Sequence, residues 1–277
     1  MHFWQHIYSN FNPIAFELFG FKVHWYGIMY VFALLSALWF AKYLIKKDNL
    51  HISDEILDKF FIYVEIGVIL GARIGYFVFY SDYTSYYLSH PWQMFNPFGQ
   101  NGEFVGIRGM SYHGAIIGFS IGAYLFSRKY KGYTLKILDV AAVAIPLGYI
   151  FGRIGNFLNQ ELVGRVTDVP WGIYVDGVLR HPSQLYEAFF EGFVIFLIMF
   201  FTRKYKKFDG QLILNYLFLY ALARTVSEMF RQPDPQLGFI CCNILTMGQL
   251  LSFGMVIFAV LGYVVLGKNL LDNLSSK

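Results

Sequence analysis

Four stretches of this sequence set charged side chains inside otherwise apolar runs, where their cost demands a partner, a wet cavity or a ligand. The densest is Gly152-Arg153-Ile154-Gly155-Asn156-Phe157-Leu158-Asn159-Gln160-Glu161-Leu162-Val163-Gly164-Arg165. It combines two arginines, two asparagines and a glutamate with glycines that permit a sharply turned backbone. A guanidinium presents a planar fork of donors that matches a phosphate. An ordinary helix C-cap with basic residues near the dipole accounts for Arg153 or Gly155 singly, but not for the whole run.

The second stretch, Arg224-Thr225-Val226-Ser227-Glu228-Met229-Phe230-Arg231-Gln232-Pro233-Asp234, spaces Arg224, Glu228 and Arg231 by four and three residues, on one helical face. Glu228 is expected to hold both guanidiniums while net positive charge is left for an anionic ligand; a purely structural ion network is the alternative. The third is Ser111-Tyr112-His113-Gly114-Ala115-Ile116-Ile117-Gly118, where small neighbours leave the His113 ring open to a ligand. An imidazole with an unperturbed pKa of about 6.5 suits proton transfer, although a lone histidine on an apolar helix also serves as a satisfied structural residue. The fourth pairs Glu65 with Arg73, eight residues apart and so about two turns along one helix, and reads as a buried structural ion pair to neighbouring helices.

The elements that must carry these groups follow from composition. Of the 277 residues, 56% are apolar and only 14% charged, too apolar for a soluble domain of this size. Phe (30) and Tyr (21) are abundant, as expected where amphipathic rings gather at membrane interfaces. A spanning helix needs about 20 mostly apolar residues, and seven stretches qualify, at 18–42, 57–80, 110–128, 135–157, 184–203, 210–230 and 244–267. The predicted fold class is therefore an all-α membrane protein: one domain over 1–277, a bundle of about seven transmembrane helices, with the long loops 81–109 and 158–183 forming a small outward-facing head.

Lysine and arginine near helix ends mark the cytoplasmic side. Lys42, Lys46 and Lys47, then Arg128, Lys129, Lys131 and Lys136, then Arg203, Lys204, Lys206 and Lys207, with Lys268 and Lys277, all fall on one side when seven spans alternate. That predicts an outward N-terminus, retained rather than cleaved, and a cytoplasmic C-terminus. The remaining basic residues, Lys22, Lys59, Arg73, Arg108, Arg153, Arg165, Arg180, Arg224 and Arg231, are mostly arginine. All but Lys59 lie in outer halves of spans or outward loops, where cytoplasmic anchoring cannot explain them. Gly67, Gly71 and Gly75 in the second span, and Gly114, Gly118 and Gly122 in the third, recur at fourth positions, which lets two helices approach closely in lipid. The adjacent Cys241 and Cys242 offer neither a disulfide framework nor a CxxC site. No basic run points to nucleic acid, and no His/Asp/Glu cluster at ligand spacing points to a metal.

Taken together, the run from Gly152 to Glu161, the His113-Gly114 segment, Arg180-His181-Pro182-Ser183-Gln184-Leu185-Tyr186-Glu187, the Arg224 to Asp234 stretch and Tyr26 in His24-Trp25-Tyr26-Gly27 resemble the prolipoprotein diacylglyceryl transferase family, in the family's order and over almost the whole chain. One departure is Ala115, where the family usually has a second glycine after the histidine. The resemblance implies transfer of the diacylglyceryl group of phosphatidylglycerol to the lipobox cysteine thiol of a prolipoprotein, in the bacterial inner membrane and without a cofactor. It implies Arg153 and Arg224 at the departing phosphate, supported by Arg231 and Glu228. Asn156 and Gly164 would position the head group or the loop, Tyr26 would reach in from the first span, and His113 or Glu161 would take the thiol proton, a choice the residues leave open. Two competing classes are a transporter of an anionic solute, which lacks the expected inverted repeat, and a non-catalytic membrane scaffold.

Overall fold

A computed structural model describes residues 2–18, 21–79, 81, 84–98, 109–233, 238–241 and 245–275. Arg108, Asp234, Cys242, Lys277 and much of the loop 81–109 lie outside the described residues. In chain order the elements are α1 (His2–Gln5), β1 (Ile14–Leu18), β2 (Phe21–His24), α2 (Trp25–Lys47), α3 (Asp54–Phe79), α4 (Thr84–Ser89), α5 (Tyr112–Lys129) and α6 (Thr134–Leu158). They continue with β3 (Ile173–Val175), β4 (Val178–Arg180), α7 (Ser183–Glu187), a π-helical turn (Ala188–Val194), α8 (Ile195–Thr202), α9 (Gln211–Ser227), β5 (Phe239–Cys241), β6 (Leu245–Thr246) and α10 (Met247–Ser275).

Among the described residues, five helical stretches are long and apolar enough to cross a membrane: Trp25–Lys47, Asp54–Val78, Thr134–Leu158, Ser183–Tyr205 and Met247–Lys268. The other two predicted stretches are also helical, but α5 has 18 residues and α9 has 17. The first span begins later than the sequence predicts. Strands β1 (Ile14–Leu18) and β2 (Phe21–His24) pair antiparallel there instead, with Glu17 opposite Lys22. Two charges in that run are better served by a cross-strand pair than by burial in a helix.

The chain divides into two compact units, 1–50 with 138–277, and 51–137. In the smaller unit α3 and α5 pack along the predicted glycines. A Cβ on Gly71 would meet the Gly118 Cα at 2.8 Å, and one on Gly75 would meet the Gly114 Cα at 2.7 Å, so neither position tolerates a side chain. Gly114 and Gly118 make the close approach, so Ala115 does not impair it. Arg73 is buried in this unit, where it donates to the carbonyls of Met94 and of Gly109 (3.0 Å) and lies 4.6 Å from the Phe77 ring centroid.

In the larger unit the segment after α6 folds against the N-terminus. Gln160, held in the left-handed region (φ 58°), ends α6, and its amide donates to the carbonyls of Tyr8 (3.1 Å) and Phe11 (2.9 Å). Strands β3 and β4 are joined by Asp176-Gly177, both at positive φ, the two-residue turn that suits the twist of a hairpin. Tyr8, Phe157 and Ile173 form a small buried cluster beneath it. Burial pushes the Tyr8 phenol well above its usual range.

At the opposite end of α6, buried Asp139 accepts hydrogen bonds from the backbone N–H of Gly210 (2.8 Å), Leu212 (2.8 Å) and Ile213 (3.1 Å). The side chain of one helix thereby caps the N-terminus of another, satisfying donors that α9 cannot satisfy itself.

Candidate active site

Three helical segments of the larger unit bring charge together: the last turns of α6, the end of α7 with the π-turn that follows, and the last turn of α9. Arg153, four residues after Tyr149 on α6, reaches Glu187 Oε2 at 2.9 Å through Nε. Arg224, on α9, reaches the same oxygen at 3.2 Å through Nη1. Two guanidiniums from separate helices therefore share one carboxylate oxygen, on a side chain with no solvent exposure. Arg224 also lies 3.7 Å from Glu191 Oε1 and pairs closely with Glu228. Glu228 Oε1 in turn stands 3.5 Å from Arg231 Nη1. The expected pairing of Glu228 with both arginines is present.

The expected surplus of positive charge is not. Glu187 and Glu191, both fully buried, join Glu228 in balancing Arg153, Arg224 and Arg231. Charges at this depth persist only when paired, and the two carboxylates that do the pairing, Glu187 and Glu191, are not among the site residues expected from the sequence. The signal was available: Glu187 and Glu191 stand four residues apart inside or beside a predicted span, as costly there as the arginines. The π-turn beginning at Ala188 contains Glu191 and could not be foreseen; such wide turns recur at functional sites.

A second chain of hydrogen bonds leaves Arg153 in the other direction. Arg153 Nη1 donates to Asn156 Oδ1 (3.2 Å), Asn156 Nδ2 donates to Glu161 Oε1 (2.8 Å), and Asn159 Nδ2 donates to Glu161 Oε2 (3.1 Å). Tyr26, exposed at the start of α2, packs over Gly155, where an added Cβ would stand 3.4 Å from its ring. It lies close enough to Glu161 and Arg153 to feel both charges.

Gly164 holds the loop onto α9. Its N–H donates to the His181 carbonyl (3.0 Å), and the N–H of Arg165 donates to the Phe230 carbonyl (2.8 Å). A Cβ on Gly164 would meet the Phe230 carbonyl oxygen at 2.8 Å, so only glycine permits this approach. Arg165 donates to the carbonyls of Arg231 (2.9 Å) and Glu228 (3.1 Å), tying the loop to the same ion network. The His181 ring stacks edge-on against Phe230 and meets the Tyr186 hydroxyl at 3.2 Å; burial holds its pKa below the usual histidine value.

Arg153, Arg224, Glu161, Tyr26, Asn156, Gly164, Glu228 and Arg231 thus all belong to one unit, and hydrogen bonds, ion pairs or ring packing connect them. His113 belongs to the smaller unit. It follows Ser111, whose hydroxyl accepts from the Gly114 N–H (3.1 Å) and caps α5, while the Ser111 N–H donates to the Ala72 carbonyl (2.8 Å).

Apolar helices of membrane length that gather buried guanidiniums and carboxylates at their ends define a multi-pass membrane protein with a buried polar cluster. The chain belongs to the prolipoprotein diacylglyceryl transferase family, whose model matches residues 13–265, and it is a transferase. A protein of Campylobacter lari named phosphatidylglycerol–prolipoprotein diacylglyceryl transferase is 63% identical over 260 residues, 94% of this chain and 95% of its own length. Proteins with the same name from Campylobacter curvus (62% over 266 residues, 96% and 98%) and Campylobacter hominis (58% over 269 residues, 97% and 96%) are also similar. Nothing in these relatives supports the transporter alternative.

Proposed function

We propose that this protein transfers the diacylglyceryl group of phosphatidylglycerol to the lipobox cysteine thiol of a prolipoprotein, in the bacterial inner membrane. In this reading seven helices span the bilayer, the N-terminus and the loops 81–109 and 158–183 face outward as a head, the C-terminus is cytoplasmic, and 1–277 works as one catalytic domain. The observation that carries the reading is the meeting of Arg153 and Arg224 on Glu187 Oε2 (2.9 and 3.2 Å). Two guanidiniums within ion-pair distance of one carboxylate oxygen can hold a phosphate oxygen in its place.

The thiolate sulfur attacks the glycerol carbon that bears the phosphate ester. A carbon–sulfur bond forms as the carbon–oxygen bond breaks, and the electron pair leaves with the oxygen of glycerol phosphate. A diester monoanion becomes a monoester, so negative charge grows on the departing group, and Arg153 and Arg224 meet that charge as it develops. Arg231 and Glu228 hold Arg224 in place, Asn156 orients Arg153, and Tyr26 and Gly164 position the head group and the loop. A free thiol has a pKa of about 8.5, so a proton acceptor or a positive field must generate the reactive thiolate. Glu161 and His113 are the two candidates for that proton. The hydrogen-bonded link from Glu161 through Asn156 to Arg153 supports Glu161 (2.8 and 3.2 Å).

The test uses purified protein in phosphatidylglycerol micelles with a lipobox peptide. Arg153→Ala should retain helical circular dichroism and lose transfer by about 100-fold or more, the scale of removing one donor to a developing oxyanion. Near-normal transfer would remove Arg153 from the mechanism.

A further inference from the structure

Tyr149 belongs to neither the loop motifs nor the ion pairs expected from sequence, yet it joins both halves of the site. Its hydroxyl accepts from Arg153 Nε at 2.8 Å and donates to Glu191 Oε2. Its ring lies 4.8 Å from the Arg153 guanidinium carbon and packs edge-on against Tyr220, one turn before Arg224 on α9 (centroids 5.7 Å, 81°). Followed around, the contacts close on themselves: Arg153 to Glu187, Glu187 to Arg224, Arg224 to Glu191, Glu191 to Tyr149, and Tyr149 back to Arg153.

The ring has two arms of unequal kind. On one side a single oxygen of Glu187 holds both arginines, and it stands where the preceding section puts a phosphate oxygen. A phosphate taking that place must displace the carboxylate, which opens this arm. On the other side Tyr149 and Glu191 touch the arginines without occupying the space between them. We propose that Tyr149 is a positioning residue for the transfer reaction: its hydroxyl, held by Glu191, keeps the Arg153 guanidinium registered against Arg224 after substrate has displaced Glu187. This rests on the phosphate-binding role given above to the two arginines. Arg153 Nε has one hydrogen atom, and Tyr149 accepts it in the resting site; Glu187 Oε2, 2.9 Å from Nε, is an ion partner that accepts no hydrogen bond from it. When Glu187 withdraws, the tyrosine keeps Nε fixed, and Nη1 and Nη2 are left for Asn156 and the phosphate.

The experiment compares Tyr149→Phe with wild type in the micelle and peptide assay, as kcat and KM for phosphatidylglycerol. Phe keeps the aromatic face under Arg153 and the packing on Tyr220, and removes only the hydroxyl. A misaimed guanidinium costs more in the transition state than in binding, so kcat should fall by about 10- to 100-fold while KM changes by less than about threefold. Glu191→Gln attacks the same link from the other end and should lower kcat similarly. The double variant should lie within about twofold of Glu191→Gln, because that change already breaks the Tyr149 link along with the Arg224 contact. Tyr149→Phe within about twofold of wild type, or losses that multiply in the double variant, would overturn the proposal; so would a fall in kcat matched by equal loss of thermal stability in both single variants. Arg153→Ala in the same series separates the two ideas. Abolished transfer there beside a near-normal Tyr149→Phe rejects the positioning role alone, whereas surviving transfer in Arg153→Ala rejects the parent mechanism.

Discussion

Replacing Glu187 by glutamine tests the charge balance of the site directly. The carboxylate is fully buried, and its Oε2 stands 2.9 Å from Arg153 Nε and 3.2 Å from Arg224 Nη1. At about 3 Å and an effective dielectric constant of about 20, each pairing carries roughly 5 kcal/mol of Coulomb energy, most of it offset by desolvation. Removing one partner of a buried pair costs about 3–5 kcal/mol, because the remaining charge is left uncompensated. Here two guanidiniums lose their shared counter-ion together, while Glu191 and Glu228 still hold Arg224 and the Tyr149 hydroxyl still holds Arg153. The melting temperature in a neutral detergent should fall by roughly 6 °C or more, at about 2–4 °C per kcal/mol for a chain of this size. Phosphatidylglycerol should then restore more stability to the variant than it adds to wild type, since its phosphate supplies the missing counter-charge and displaces a neutral amide more readily than a carboxylate, whereas uncharged diacylglycerol should restore none. Glu187→Gln melting within about 2 °C of wild type, or equal stabilisation of both proteins by phosphatidylglycerol, would refute the claim that the carboxylate stands in the phosphate's place.

Two further outcomes are expected. Gly164→Ala forces a Cβ against the His181 and Phe230 carbonyls, so it should cost about 1–3 kcal/mol and lower transfer as well, because the Arg165 contacts to Glu228 and Arg231 shift with the loop; thermal melting and the peptide assay read both. His181 has its pKa lowered by burial, so in the pH range just below the ordinary histidine value the unfolded chain binds more protons than the folded one. Stability of this loop is therefore complete above that range and declines as pH falls through it, which the emission of Trp171, hydrogen-bonded to Tyr186, should report; His181→Asn should flatten the profile.

Apolar run length was enough to locate the helices, because a chain in lipid must satisfy its backbone within each segment. It failed where an apolar run hides another solution. The run from 18 to 24 is apolar apart from Lys22 and His24, and the pairing of Lys22 with Glu17 across two antiparallel strands explains why α2 waits until Trp25. The Asp176-Gly177 dipeptide is a hairpin signal legible in the sequence, since both positions must take positive φ. In the site, the arginines stood out because their type and place broke the lysine pattern of the loops. Glu187 lay at the margin of a recognised motif and Tyr149 in a run of aromatics, and neither residue type draws notice until a partner is in view. Helical spacing relates residues on one helix; the shared oxygen of Glu187 relates three, which no spacing rule expresses.

The cap that Asp139 places on α9 has a mechanical corollary. Arg153 is fourteen residues beyond Asp139 on α6, and Arg224 is fourteen beyond Gly210, whose N–H that carboxylate binds. The two helices are therefore parallel lever arms, each about 21 Å long, with a common fulcrum at one end and a guanidinium at the other. A tilt of about 3° at the fulcrum moves a tip by about 1 Å, a displacement that alone can slow a reaction about 100-fold. In the proposed mechanism the grip on a phosphate would thus be calibrated from the far ends of the two helices, about 21 Å away, by a carboxylate that never touches it.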